Sequence, residues 1–304
     1  MTYDEVWRQM PKERMSGFRF NRVVIVQSLE SHETQTGEQM ADFIDVEMQS
    51  LSLPIAVELI DCESYADFLR LMSQLETDGE RGMRPIVQIE CHGDQNDGLE
   101  FANSSMLSWA ELSAVLSRVN IACRFNLVAI VSACFGAYFS SHMSPVEPAP
   151  CYALISPTAE ITPYELRFGL QGFYREFLRS PDIGEAVRQL LQQRLSVGTW
   201  FAAAAEQWFE QTLVQYIEER CSRRASLERA AQLNARWRAV GSPELSQRQV
   251  FKMLRERHKN IVKEAFGIFF SLASLPENAG RFANCYASAK LKVDRIRARG
   301  THIL

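Results

Sequence analysis

Several signatures that would assign a function at sight are missing from this 304-residue chain. It has no Gly-x-Gly-x-x-Gly or P-loop, no His-Glu-x-x-His and no Gly-x-Ser-x-Gly. Nucleotide cradles, zincin chemistry and the serine-hydrolase elbow therefore have no motif to rest on. The seven cysteines form no Cys-x-x-Cys pair, and their odd number suits a disulfide framework poorly, so a reducing cytoplasm is the simpler expectation. Histidine is scarce, and His32-Glu33 lacks a second His at zinc-helix spacing. No metal and no cofactor are expected. The most apolar stretch, Phe266–Leu275, is too short to cross a bilayer, and Met1–Arg8 lacks a basic segment followed by an apolar core. Neither a membrane association nor a signal peptide is expected. A net charge of -4 argues against a chain that binds nucleic acid over its whole surface, without speaking to local patches.

What is present is a globular composition, 46% hydrophobic and 23% charged, at a length that suits one large domain with an appendage or two small domains. The chain is organised around Arg84–Ser141. Pro85-Ile-Val-Gln-Ile-Glu-Cys-His-Gly93 is rich in β-branched residues and bounded by turn formers, which predicts a buried strand with His92 at its carboxyl end. Asn126-Leu-Val-Ala-Ile-Val-Ser-Ala-Cys134 has the same form, with Cys134 at its end. In an open parallel sheet the crevice lies outside the carboxyl ends of the strands, so adjacent strands of this kind bring imidazole and thiol together. An imidazole that takes the thiol proton and later returns it to a leaving amine makes the thiol a nucleophile. The backbone N–H groups of Gly93 and Cys134 are the natural oxyanion donors, and Gly93 permits close approach. A cysteine that ends an apolar strand is more often a small buried hydrophobe, and a His-Gly pair is common. The argument rests on joint placement, His92 before Cys134 at matching positions 42 residues apart.

At these residues the chain resembles the caspase-like cysteine peptidases, the clan that includes the bacterial CHAT proteins. The caspase pattern is Gln-Ala-Cys-x-Gly with the histidine about 50 residues upstream. Here Ser132-Ala133-Cys134-Phe135-Gly136 keeps Ala-Cys-x-Gly, and Ser132 in place of Gln is closer to CHAT-type members. Gly98–Asn103 and Leu107–Leu116 are similar to the hairpin and helix that such proteins carry between His and Cys. The resemblance spans roughly residues 20–193 and implies a three-layer caspase-like α/β fold with a mostly parallel sheet. It further implies a cysteine endopeptidase acting on a protein substrate, such as a gasdermin-like partner, in bacterial defence or regulated cell death. By analogy with the specificity loop of caspases, Gln35 stands where a basic residue would hold an acidic P1 side chain, so acidic P1 is not expected. For a basic P1 residue, Glu30, Glu33 and Asp94 are the candidate carboxylates. Asp94, Asp97 and Glu100 crowd the segment after His92 and are candidates to orient the imidazole, and His142 is a rival base.

The remaining pattern divides the chain into an N-terminal segment 1–19 with a short helix, an α/β peptidase domain 20–195, and a helical appendage 196–304. In the appendage, helices are expected over Trp200–Arg220, Ser226–Val240, Ser246–Leu275 and Ala279–Arg299, punctuated by Pro243 and Pro276. Its Lys and Arg excess suggests a docking surface for an activator or regulatory protein, with nucleic acid left open. Two other readings remain: a catalytically silent caspase-like scaffold, and a nucleic-acid-linked regulator acting through the basic helices.

Overall fold

The computed structural model describes residues 17–180, 183–239 and 245–299. The short helix expected near the amino terminus and the Pro243 break lie outside them. The described chain forms two compact units, residues 17–143 with 149–205, and residues 144–148 with 206–299.

The first unit is an α/β layer structure. In chain order it runs β1 (Arg22–Ser28), α1 (Thr36–Ser50), β2 (Ala56–Asp61), α2 (Tyr65–Glu80), β3 (Pro85–Asp94), β4 (Gly98–Glu100), β5 (Met106–Leu107), α3 (Trp109–Ala122) and β6 (Val128–Ser132). A 3-10 helix (Gly136–His142), β7 (Ala153–Pro157), α4 (Pro163–Arg179), α5 (Ile183–Gln192) and β8 (Trp200–Ala204) complete it. The sheet order is β2-β1-β3-β6-β7-β8, parallel except for β8, which pairs antiparallel with β7. Helix α4 contacts both α1 and α5, and α2 contacts α3. Val23–Ile25 and Val128–Val131 are wholly buried, which is why these strands read as continuous apolar runs rather than alternating ones. The helices start where the sequence signals it. Ser64, Ser108 and Thr162 each close a capping box with the acidic residue three positions on, and Pro163 occupies the first turn of α4.

Chain direction decides where the site lies. From β1 the chain moves to β2 on one side, and from β2 it crosses back to β3 on the other. The strand order thus reverses between β1 and β3, and the crevice of an open α/β sheet forms outside the carboxyl ends at such a switch point.

Three expectations need correction. The strands do not end before Ser196: Trp200–Ala204 is β8, and the helix expected from Trp200 begins at Ala205. The apolar Trp-Phe-Ala-Ala-Ala run has no polar face and completes a fully buried sheet edge. The run Thr77-Asp-Gly-Glu-Arg-Gly82 reads as a turn from its sequence, yet its first four residues form the last turn of α2, which reaches Glu80. Finally, β3 does not stop at His92. It leaves the parallel sheet and continues as a hairpin arm, with His92 opposite Glu100, Gly93 opposite Leu99 and Asp94 opposite Gly98.

The second unit is helical: α6 (Ala205–Arg220), α7 (Arg223–Ala239), α8 (Gln247–Lys259), α9 (Ile261–Phe269), α10 (Asn278–Arg281) and α11 (Ala283–Ala298). Phe209 packs on Phe266, Phe269 and Phe270, and Phe270 stacks on Phe282. Tryptophan 208 is buried as well, in keeping with a packing role for these aromatics. The helix expected over Ser246–Leu275 is broken at Asn260, and the one over Ala279–Arg299 at Phe282.

Candidate active site

The register of the sheet brings the two predicted residues together. The last parallel pair between β3 and β6 is Glu90 with Ser132. His92 lies two residues beyond that pair on β3, and Cys134 two residues beyond it in the turn that follows β6. Both line one cleft of about 430 Å³ at the carboxyl end of the sheet, with Glu33, Thr36, Glu90 and Ser132.

Backbone geometry fixes the turn at the thiol. Phe135, directly after Cys134, adopts a left-handed conformation at φ 58° and ψ 13°, a cost that a non-glycine residue accepts only where surroundings enforce it. The Phe135 N–H donates to the Ala159 carbonyl at 3.1 Å, and the Gly136 N–H donates to Ala133 at 3.1 Å. Gly136 is pressed against the Ser156 hydroxyl and Val131, leaving no room for a side chain. The Cys134 Sγ lies 3.9 Å from the Ile161 carbonyl oxygen.

Gly93 sits against the Cys134 carbonyl, and a Cβ there would fall far inside van der Waals contact. Close backbone approach is therefore the reason for glycine at this position. The hairpin that continues from it is pinned by Trp109, whose indole N–H reaches the carbonyls of Asp94 and Gln95 at 3.2 and 3.3 Å.

Of the seven cysteines, Cys134 alone is not buried. Burial raises the others: Cys62 to about 11, Cys123 and Cys221 to about 12, and Cys91, Cys151 and Cys285 further still. Thiols so disposed are poor nucleophiles at neutral pH.

His92 has a carboxylate partner that the sequence reading did not assign to it. Glu33, in the loop after β1, lies with Oε1 2.7 Å from His92 Nε2. A carboxylate only accepts, so the Nε2 proton faces Glu33 and Nδ1 is left as the basic nitrogen. Burial raises the Glu33 carboxyl, but hydrogen bonds from the Glu30 backbone and His92 outweigh it and lower the pKa overall. The loop is braced by Gln35, whose amide donates to the carbonyls of Glu30 and Glu33 at 2.8 and 3.0 Å. The signal available in the sequence was position: Glu33 follows the first strand, which borders the switch point.

Under the cleft lies a polar chain. Thr36 donates to Glu90 at 2.7 Å, Gln88 donates to Glu90 at 2.5 Å, and Tyr174 donates to Gln88 at 2.9 Å. Glu90 is 1% exposed, and burial raises its pKa against the opposing pull of Thr36, Gln88 and Ser132.

The other residues singled out by the sequence lie elsewhere. Glu30 and Gln35 line a neighbouring groove of about 730 Å³ with Glu38 and Asp61. The Asp94 carboxylate accepts the N–H groups of Asn96 and Asp97 at 2.7 and 3.0 Å, closing the hairpin turn, and does not line the cleft. Asp97 and Glu100 do not line it either, and His142 is exposed at the end of the 3-10 helix. Among the described residues no cluster of His, Cys, Asp and Glu suits a metal ion, and no helix is long and apolar enough to cross a membrane. Compared with known proteins, the chain matches no family model and no curated protein.

Proposed function

We propose that this chain is a caspase-like cysteine endopeptidase working through His92 and Cys134. The observation that carries the reading is the shared cleft: one accessible thiol and one imidazole at equal offsets from the Glu90–Ser132 pair, the imidazole held by Glu33. In this scheme His92 Nδ1 takes the Cys134 proton and the thiolate adds to the scissile carbonyl carbon. The backbone N–H groups of Gly93 and Cys134 stabilise the oxyanion. The imidazolium then protonates the leaving amine, and water releases the acyl group from sulfur with His92 as base. Glu33 holds the ring and stabilises its charged form, the part a carboxylate plays in other nucleophile–imidazole pairs. The resemblance at Ser132–Gly136 adds the caspase-like fold and a protein substrate, a gasdermin-like one among the kinds it implies, inside a bacterial cytoplasm.

The test is incubation of the wild type and of Cys134→Ala and His92→Ala with a proteome, followed by mapping of new N-termini. Each substitution is expected to lower cleavage on the order of 10⁴-fold or more, because the two residues act as a unit. Native iodoacetamide treatment, read by intact mass, is expected to label one thiol, and to label none in Cys134→Ala. Cleavage retained by purified Cys134→Ala overturns the reading. A labelled Cys134 with no new N-termini favours the silent scaffold.

A further inference from the structure

From residue 206 onward the sequence carries 18 Lys and Arg against 10 Asp and Glu, a net +8, whereas residues 1–205 carry 15 against 27, a net -12. The overall charge of -4 conceals this segregation. Within this basic segment, α8 is amphipathic in an unusual way. Its buried side, Val250, Leu254 and His258, packs toward α7, where Val250 and Leu254 form a small apolar cluster with Ala230, Leu233 and Trp237. Turned away from that side are Arg248, Lys252, Arg255 and Lys259, all exposed.

The spacing of these four, at steps of four, three and four residues, gathers them within about 60° of arc, centred about 130° from the buried side. The row is about 16 Å long at 1.5 Å per residue. Glu256 is bonded to Lys259 at 2.8 Å, and its pKa is lowered first by that bond and then by the charges of Lys259, Lys252 and Arg255. Arg248, Lys252 and Arg255 form no ion pair among the described residues. The partner helix α7 contributes Arg223, Arg224, Arg236 and Arg238 to the same hairpin.

We propose that this row on α8 is a binding surface for nucleic acid, engaging the phosphate backbone rather than base edges. Like charges aligned on one face repel one another, and a polyanion laid along them removes that repulsion while releasing its own counterions. A row of about 16 Å runs beside about five successive phosphates of one duplex strand, at 3.4 Å each along the axis. A protein partner suits the face less well: arginine is common at protein interfaces, but their cores are depleted of lysine and of charge in general and are anchored by aromatic side chains. The row has no aromatic residue, and Met253 is the large apolar side chain exposed on α8. The surface is independent of the cleft, so it stands or falls separately from the peptidase reading.

The test is fluorescence anisotropy of the full chain with a labelled 20-base-pair DNA duplex, a single-stranded RNA of equal length and polyglutamate, between about 50 and 200 mM salt. With four phosphates neutralised, duplex affinity is expected to fall about 100-fold over that range, a log–log slope near about -3.6. Arg248→Gln/Lys252→Gln/Arg255→Gln is expected to weaken binding at least tenfold at the lower salt and flatten the slope by about 2.7, with an unchanged circular dichroism melt. Arg70→Gln/Arg81→Gln/Arg118→Gln, which removes as much charge from the first unit, is expected to leave binding intact. A preference for RNA over duplex changes the form of nucleic acid and supports the surface. No binding at the lower salt, equal binding by the α8 variant, or polyglutamate binding as tight as that of nucleic acid overturns it.

Discussion

Glu33 and His92, 59 residues apart in sequence, meet at 2.7 Å across the switch point between β1 and β3. The contact orders the loop after β1 against the strand that carries the imidazole, and it selects the tautomer with Nδ1 free. Glu33→Gln is expected to lower the rate of Cys134 alkylation and of peptide cleavage on the order of tenfold each, with Km changed little. The charge that Glu33 supplies persists below the ordinary carboxylate range, since its pKa is lowered. The difference between wild type and variant should therefore hold from neutral pH downward and close only as Glu33 itself protonates. Alkylation rates followed against pH check this, and an identical profile for the variant rejects the positioning role.

Gly93→Ala tests the close approach of β3 to the thiol-bearing turn. The added methyl group has no space against the Cys134 carbonyl and the Ala133 side chain. Either the hairpin arm or the Cys134 turn must shift, and a displacement of about 1 Å in such a site costs about 100-fold in rate. Cleavage should fall by that order while kcat suffers more than Km. A variant that retains full activity would show that the close packing of Gly93 against the Cys134 carbonyl is not needed for cleavage.

Glu90→Gln separates stability from catalysis. A carboxyl whose pKa is raised by folding binds more protons in the folded than in the unfolded state, so the wild type loses stability as pH rises above the ordinary carboxylate value of about 4.3. The loss continues until the folded-state pKa is passed. Glutamine is neutral throughout and keeps the volume. Urea unfolding at pH 5 and pH 8 should show the variant gaining on the wild type as pH rises. Equal differences at both pH values would mean that Glu90 is not held toward its neutral form.

Local pattern determined a good part of this architecture. Short β-branched runs such as Val23–Val26 and Val128–Val131 read as buried strands, and capping boxes at Ser64, Ser108 and Thr162 mark helix starts, because both signals act over a few residues. The His92 and Cys134 positions were legible for the same reason, each being tied to the end of a short apolar run. Tertiary structure alone decided what depends on distant segments meeting. The run Trp200–Ala204 is apolar in any setting, and only the open edge of β7 makes it a strand. Glu33 is one acidic loop residue among several until strand order sets the β1 loop beside β3. Asp94, near His92 in sequence, turns its carboxylate to its own hairpin instead. Pairing register is a property of two strands and never of one, so the equal offset of His92 and Cys134 from Glu90 and Ser132 existed only once the sheet had formed.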